Sequence, residues 1–278
     1  MGRLLAQKLT EQIGGPFVVE NRPGAGATIG ATLVARAAPD GYTLLVSAPE
    51  MSINPSLRSK LPYDPLKDFA FISQLTSGQF MLASHPSVPV KTVKQLIALA
   101  IARPGQLNFG SSGTGSINHL SGLLFELMAG IRWVHVPFKG SGESAIGLMI
   151  GEIDFVLAST TALVGPVRSD KVRAIAVTGP RRFVGLPEVP TIDESGVPGY
   201  NVTGWYGFYA PAGTPVEIAR RLHAEARRAL NNPEVKEKLA QTGNEPVVSS
   251  PEEFAAFIRV EVGKWAKVIK DSGLQKMD

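Results

Sequence analysis

The chain has 278 residues, of which 44% are hydrophobic and 19% charged, and a formal net charge of +4. This composition excludes a disordered chain, and the length indicates about two domains. There is no cysteine, which excludes disulfides and thiolate zinc sites. The cationic excess is spread along the chain, and the longest apolar stretch, Leu96–Ala102, is far shorter than a membrane-spanning helix. We therefore expect neither nucleic-acid binding nor a membrane-embedded chain.

Short β-rich segments alternate with glycine-containing turns and helical segments as far as residue 177. Strands are predicted at Phe17–Glu20, Tyr42–Ser47, Phe80–Ser84, Leu107–Phe109, Trp133–Val136, Ile153–Leu157 and Val172–Val177. Helices are predicted at Thr28–Ala38, Thr92–Ala102, Ser116–Ala129, Ser144–Ile150 and Ala162–Val167. This alternation is typical of parallel sheets with crossover helices and predicts an α/β fold.

The last part of the chain is predicted to be helical. Thr214–Glu217 and Ser250–Glu253 both have the capping-box pattern that starts a helix, and Asn232-Pro233 starts another. We expect one apolar face of the final helix to pack on the first of two domains, formed by residues 1–79 and 211–278. Residues 80–210 are predicted to form the second domain. The final helix carries its apolar residues at helical spacing, namely Phe254, Phe257, Ile258, Trp265, Val268 and Ile269.

The strongest local feature is the loop at residues 108–119, which reads N-F-G-S-S-G-T-G-S-I-N-H. It lies between a predicted strand and a predicted helix. Backbone amides at a helix start bind anions, and glycine lets the backbone approach a ligand closely. The alternative is a turn in which Ser116 only caps the next helix. The number of glycines and hydroxyls favours the anion site.

Patterns that would indicate an enzyme are weaker. Gly24–Gly30 resembles a dinucleotide fingerprint, but three residues separate it from strand Phe17–Glu20, and no acidic residue ends the next strand. Ser112 lacks the Gly-x-Ser-x-Gly elbow of a hydrolase nucleophile. The four histidines do not have the spacing of a metal site. We interpret His119 as a hydrogen-bonding support and His135 as a core residue.

Seven segments, in this order, resemble the periplasmic solute-binding proteins of tripartite tricarboxylate transporters, the Bug or TctC family. The resemblance runs through nearly the whole chain. It implies a two-lobed periplasmic-binding-protein fold of the Venus-flytrap type (type II), in which two α/β domains close over a small carboxylate. The segments are Val19–Gly26, Ala37–Leu44, Leu61–Pro65, Gly110–Gly113 with Gly115, Ser116 and His119, His135–Gly140, Pro187–Thr191, and Ala210–Pro215.

The resemblance also implies where the ligand binds. In the family, two strand-turn-helix loops, one in each domain, hold one carboxylate of the ligand. The loop at residues 110–116 matches the second of them. Ala158 stands where many members carry an acidic residue, which favours a ligand without a positive group, such as a dicarboxylate or an aromatic acid. The residues assigned to ligand binding are Ser111, Ser112, Gly113, Thr114, Gly115 and Ser116, with His119 as support, and Ser47, Ser159, Thr160 and Trp205 for the distal wall.

By the same resemblance, the chain is expected to be truncated at its N-terminus. Family members begin with an export signal, a first strand and a Pro-Gly-Gly loop that makes the other half of the carboxylate clamp. Here Arg3–Leu9 matches the helix that follows this loop, and Met1–Lys8 contains no apolar signal core. The first domain is therefore expected to lack its usual first strand.

We expect a periplasmic solute-binding protein that delivers a small organic carboxylate to the membrane subunits of a tripartite tricarboxylate transporter. No cofactor and no catalysis are expected. One alternative is an α/β enzyme, either a nucleotide-dependent oxidoreductase using Gly24–Gly30 or a hydrolase using Ser112. Another is an effector-sensing domain, which would require an attached DNA-binding module.

Overall fold

The computed structural model describes all residues from 1 to 278. Its helices are α1 (Gly2–Ile13), α2 (Thr28–Ala35), α3 (Glu50–Leu57), α4 (Val93–Ala102), α5 (Ile117–Ala129), α6 (Ser141–Met149), α7 (Thr160–Arg168), α8 (Val216–Asn231), α9 (Pro233–Gln241) and α10 (Pro251–Ser272). Its strands are β1 (Leu45–Ser47), β2 (Phe69–Ser84), β3 (Asn108–Ser111), β4 (Val134–Pro137), β5 (Phe155–Ser159), β6 (Arg173–Val177), β7 (Thr203–Pro211) and β8 (Asn244–Pro246).

The chain divides into two compact units. Unit 1 comprises Met1–Ser77, Trp205–Ile269 and Leu274–Asp278, and unit 2 comprises Gly78–Gly204 and Lys270–Gly273. Strands β2 and β7 contribute residues to both units. Each unit therefore contains strands and helices that are distant in sequence.

In unit 1, strand β7 supplies side chains to two apolar clusters. It pairs antiparallel with β1, placing Ser47 opposite Gly207. Because side chains alternate along a strand, Phe208 packs with buried residues of α1, α8 and α9, whereas Trp205 and Tyr209 pack with residues of α2, α3 and α10. Two layers of helices thus bury this part of the sheet.

The start of α10 is formed as the sequence predicts. The Ser250 amide donates to the Glu253 carboxylate at 2.8 Å, and the Glu253 amide donates to Ser250 Oγ at 3.1 Å. The capping box at this helix is confirmed. Phe254 and Ile258 are fully buried in the second cluster of unit 1, as the apolar face predicts.

Two local predictions in unit 1 are wrong. Thr214 does not cap α8, because its hydroxyl donates to the Pro211 carbonyl at 2.8 Å and Pro215 has the N-cap position. Residues 17–20 do not form a strand. Their β-rich composition makes the segment suitable for a strand, but a strand also requires a ladder partner. The Phe17 amide instead donates to Thr10 Oγ1 at 2.9 Å, and Val18 is 87% exposed.

Unit 2 contains a mixed sheet with three parallel strands. Strand β3 pairs in parallel with β4 on one side and with β5 on the other, and β2 pairs antiparallel with β5 and β6. The carboxyl ends of β3, β4 and β5 therefore lie at the same edge of the sheet. Helices α5, α6 and α7 begin directly after these three strands, so their amino termini are placed at this edge.

Candidate functional site

Three helix starts meet at the carboxyl edge of the unit 2 sheet, and each is formed differently. Ser116 caps α5, with its Oγ accepting from the His119 amide at 3.2 Å. Ser159 caps α7, with its Oγ accepting from the Ala162 amide at 3.3 Å. Helix α6 begins after Gly140 without a side-chain cap. Helix amino termini carry a partial positive charge, so this edge is suited to an anion.

The loop between β3 and α5, residues 111–116, is held by its own hydroxyl groups. The Gly113 amide donates to Ser111 Oγ at 3.1 Å, and Ser116 Oγ donates to the Gly113 carbonyl at 2.6 Å. Gly113 has a φ of +123°, and a Cβ there would lie 3.2 Å from the Phe138 carbonyl oxygen. Both its backbone conformation and the close approach of the chain after β4 require glycine at this position.

Between Thr114 and His119, three backbone amides, those of Thr114, Ile117 and Asn118, have no hydrogen-bond partner within the protein. The other three amides of this stretch are bonded internally. Gly115 donates to His119 Nδ1 at 3.2 Å, Ser116 donates to the Gly113 carbonyl at 3.1 Å, and His119 donates to Ser116 Oγ. Because an amide retains its donor capacity when no protein group accepts from it, these three can serve a ligand.

Two stacked histidines lie behind the loop. The rings of His119 and His135 are 3.7 Å apart between centroids and inclined by 17°, and His135 Nε2 lies 2.7 Å from Ser111 Oγ. Burial and the neighbouring His135 lower the pKa of His119 to about 3, and burial lowers the pKa of His135 to about 4. Both rings are therefore neutral near pH 7. The loop is supported by hydrogen bonds and stacking rather than by a cationic side chain.

Asn118 is a polar residue of this site that sequence reasoning missed. Its side chain is buried, with the residue 3% exposed, and its Oδ1 accepts from the Ser112 hydroxyl at 2.7 Å. The side-chain nitrogen Nδ2 is buried and has no hydrogen-bond partner within the protein. The sequence signal was a polar residue between Ile117 and His119 in the first turn of α5, which helix patterning alone treats as ordinary.

The residues expected in the distal wall are divided between the two units. Ser159 and Thr160 lie in unit 2 at the carboxyl edge, where the Ser159 amide donates to Ser141 Oγ at 3.3 Å and Thr160 is buried. Ser47 and Trp205 lie in unit 1. Ser47 is the buried last residue of β1, and Trp205 is 1% exposed, packing edge-on against Phe254 and Phe257.

The geometry does not assemble a nucleophilic site. Ser111 and His135 are within hydrogen-bond distance, but Ser111 is completely buried and is used within the loop. The Ser112 hydroxyl, which the hydrolase interpretation requires, donates to Asn118. In the Gly24–Gly30 segment, the Gly26 carbonyl accepts from Asn54 Nδ2 at 2.8 Å, and the segment is not preceded by a strand. A dinucleotide fingerprint requires that strand.

A sequence profile of the tripartite tricarboxylate transporter family receptor, TctC, matches residues 1–274. The chain belongs to this receptor family. It is similar to a protein of R. palustris solved with adipate, at 34% identity over 99% of this chain and 92% of that chain, with a TM-score of 0.85. It is similar to the periplasmic binding protein BugD, at 32% identity over 99% and 93%, with a TM-score of 0.82. It is also similar to MatC from Rhodopseudomonas palustris, solved with bound malate, at 32% identity over 96% of this chain and 92% of that chain, with a TM-score of 0.81.

Membership of the TctC family decides several of the expectations. The expected periplasmic-binding-protein fold is confirmed by the close structural matches. TctC proteins are periplasmic receptors that bind substrates without converting them, so the oxidoreductase and hydrolase alternatives are not supported. None of the ten helices combines the length and the apolar character that crossing a membrane would require.

Proposed function

We propose that this TctC-family receptor captures a small organic carboxylate at the loop of residues 110–116 and the start of α5. Three backbone amides without a protein partner, at Thr114, Ile117 and Asn118, are the observation that carries the proposal. They precede or begin a helix of 13 residues, whose dipole favours negative charge at this end. A carboxylate has about four acceptor positions on two oxygens and can accept from several converging amides.

Neutral surroundings further support a ligand whose bound group is an anion without an adjacent ammonium. His119 and His135 are uncharged near pH 7, and Ala158 ends the buried run of β5 before Ser159. Relatives at more than 30% identity were solved with adipate and with malate, both of which are dicarboxylates. We take a dicarboxylate as the leading ligand class, with an aromatic acid as the other member of the carboxylate class.

Membership of the receptor family supports a role in transport. We propose that the chain acts in the periplasm and presents the bound acid to the membrane subunits of a tripartite tricarboxylate transporter. The structured loop would act on the ligand only by binding it, since no reacting group converges there. Ser111 and His119 would shape the loop, while Ser112, Gly113, Thr114, Gly115 and Ser116 would form its ligand-facing part.

Calorimetric titration tests the proposal with a panel of compounds. The panel contains adipate, malate and benzoate, the diamine putrescine as an extended dication, and NAD⁺. We expect saturable binding of at least one carboxylate and no binding of putrescine or NAD⁺, because amide donors and a helix amino terminus favour anionic oxygen. Binding of NAD⁺ without binding of any carboxylate would contradict the proposal and restore the dinucleotide interpretation.

A further inference from the structure

The side-chain nitrogen of Asn118 is a buried hydrogen-bond donor for which the fold supplies no acceptor. A buried N–H group without a partner costs about 1–3 kcal/mol, and almost all buried polar groups in native proteins are bonded. Asn118 is 3% exposed, and its Nδ2 has no partner within the protein. An apolar residue of similar size would avoid this cost. The bond from Ser112 accounts for the acceptor Oδ1, whereas the donor Nδ2 needs a partner outside the protein's own packing.

The carboxamide of Asn118 is held in a fixed direction. Ser112 Oγ, which belongs to the loop, donates to Oδ1 at 2.7 Å, and this bond orients the plane that also carries Nδ2. Asn118 is the second residue of α5, and its backbone amide is one of the three without a partner. One residue thus presents a backbone donor and a side-chain donor at the same helix start.

We infer that Asn118 is a ligand-binding residue whose Nδ2 donates to an oxygen of the bound carboxylate. The inference rests on the proposed function, because it assigns a further donor to the same site. It also narrows the ligand chemistry: the group beside Asn118 must be an acceptor, such as a carboxylate or carbonyl oxygen. A ligand that placed an ammonium there would leave Nδ2 unsatisfied and would bring two donors together.

The decisive variant is Asn118→Leu, which keeps the approximate size of the side chain and removes both polar atoms. Calorimetry is done with whichever of adipate and malate binds the unmodified protein more tightly. The affinity of the variant for that acid should fall about ten- to hundredfold, the usual effect of losing a hydrogen bond to a charged group. Its melting temperature without ligand should be nearly retained, because removal of the unpartnered Nδ2 offsets the loss of the hydrogen bond that Oδ1 accepts from Ser112. Retained stability with lost affinity distinguishes a binding role from a role in folding. A shift of the Asn118 side-chain NH₂ resonance on addition of the acid distinguishes a direct contact from an effect through Ser112.

Two further variants locate the effect. Asn118→Asp keeps the acceptor for Ser112, and the helix dipole stabilises its negative charge. That charge lies where we expect the ligand oxygen, so the variant should not bind the acid. Thr76→Val is the matched control. Thr76 is completely buried in the unit 1 part of β2, and its hydroxyl also has no partner, so the same kind of loss there should leave the affinity unchanged.

The outcomes separate the two claims. If the unmodified protein binds adipate or malate and Asn118→Leu binds it equally well, the role of Asn118 is overturned while the carboxylate site stands. If the unmodified protein binds neither adipate, malate nor benzoate, both claims are overturned. Should Asn118→Leu fold poorly, the side-chain NH₂ resonance of Asn118 in the unmodified protein decides. It should move on addition of the bound acid, and a stationary resonance would overturn the inference.

Discussion

The hydroxyl groups of Thr114 and Ser116 differ in whether they form hydrogen bonds within the protein. Thr114 is exposed, and its hydroxyl has no partner in the protein, whereas Ser116 caps α5 and also donates to Gly113. Thr114→Ala should therefore weaken carboxylate binding and leave the free energy of unfolding unchanged. Ser116→Ala should weaken binding and also cost about 1 kcal/mol of stability, the usual effect of losing an N-cap. Calorimetry and urea unfolding measure the two effects.

Ser250→Ala is the matched control for Ser116→Ala. Ser250 caps α10 in unit 1 through the same kind of bond, with its Oγ accepting from the Glu253 amide at 3.1 Å. It should cost a similar free energy of unfolding with no change in affinity. Equal affinity in Ser116→Ala and Ser250→Ala would mean that the loop before α5 does not bind the ligand.

At the level of elements, β4 brings His135 against His119 of α5, and both rings are held neutral by the fold. The unfolded chain binds protons on these histidines below about pH 6.5, whereas the native protein does not until about pH 3 to 4. The free energy of unfolding should therefore fall as the pH is lowered from 6.5 to 5. Each fully neutral histidine contributes a slope of at most about 1.4 kcal/mol per pH unit, and the half-buried His135 contributes less.

His119→Gln tests this pH dependence. Glutamine cannot be protonated in this range, and its side-chain oxygen can accept a hydrogen bond as His119 Nδ1 does from Gly115. Urea unfolding at pH 6.5 and at pH 5 should show a smaller loss of stability in the variant than in the unmodified protein. An identical loss in both proteins would show that His119 is not kept neutral by the fold.

The elements also show how far the sequence could predict the structure. The strand, turn and helix around residues 108–129 were predictable because local chemistry specifies them: Gly113 permits the turn, Ser116 caps the helix, and Gly130 ends it in the left-handed conformation. The conformation of Phe17–Glu20 was not predictable in this way, because a strand requires a neighbouring strand to pair with, and composition does not reveal whether one is present. Thr214 was also predicted wrongly, because its hydroxyl donates to the Pro211 carbonyl instead of accepting from an amide at the start of α8.

The candidate site was predictable only in part for a related reason. Glycines and hydroxyls in the sequence identified the loop, and resemblance to the receptor family supplied its ligand class. The stacking of His119 on His135 and the unpaired Nδ2 of Asn118 depend on β4 lying beside β3 and on the exact direction of single side chains. No local sequence pattern encodes either arrangement.

For the whole molecule, the net charge of +4 is a poor guide to its anionic ligand. The cationic side chains are spread along the chain, and the donors assigned to the carboxylate are neutral amides at the start of α5. Such donors act at short range and are fixed by the backbone, so they can position a carboxylate without attracting anions in general. The central claim is therefore that particular backbone amides of unit 2 hold the ligand.

Amide NMR during a titration with adipate or malate tests that claim most directly. Hydrogen bonding to a carboxylate should move the amide protons of Thr114, Ile117 and Asn118 downfield. The amides of Gly115 and His119 serve as internal controls, because they already donate within the loop and should move less. Saturable binding that leaves Thr114, Ile117 and Asn118 unmoved, with shifts confined to other parts of the chain, would contradict the account.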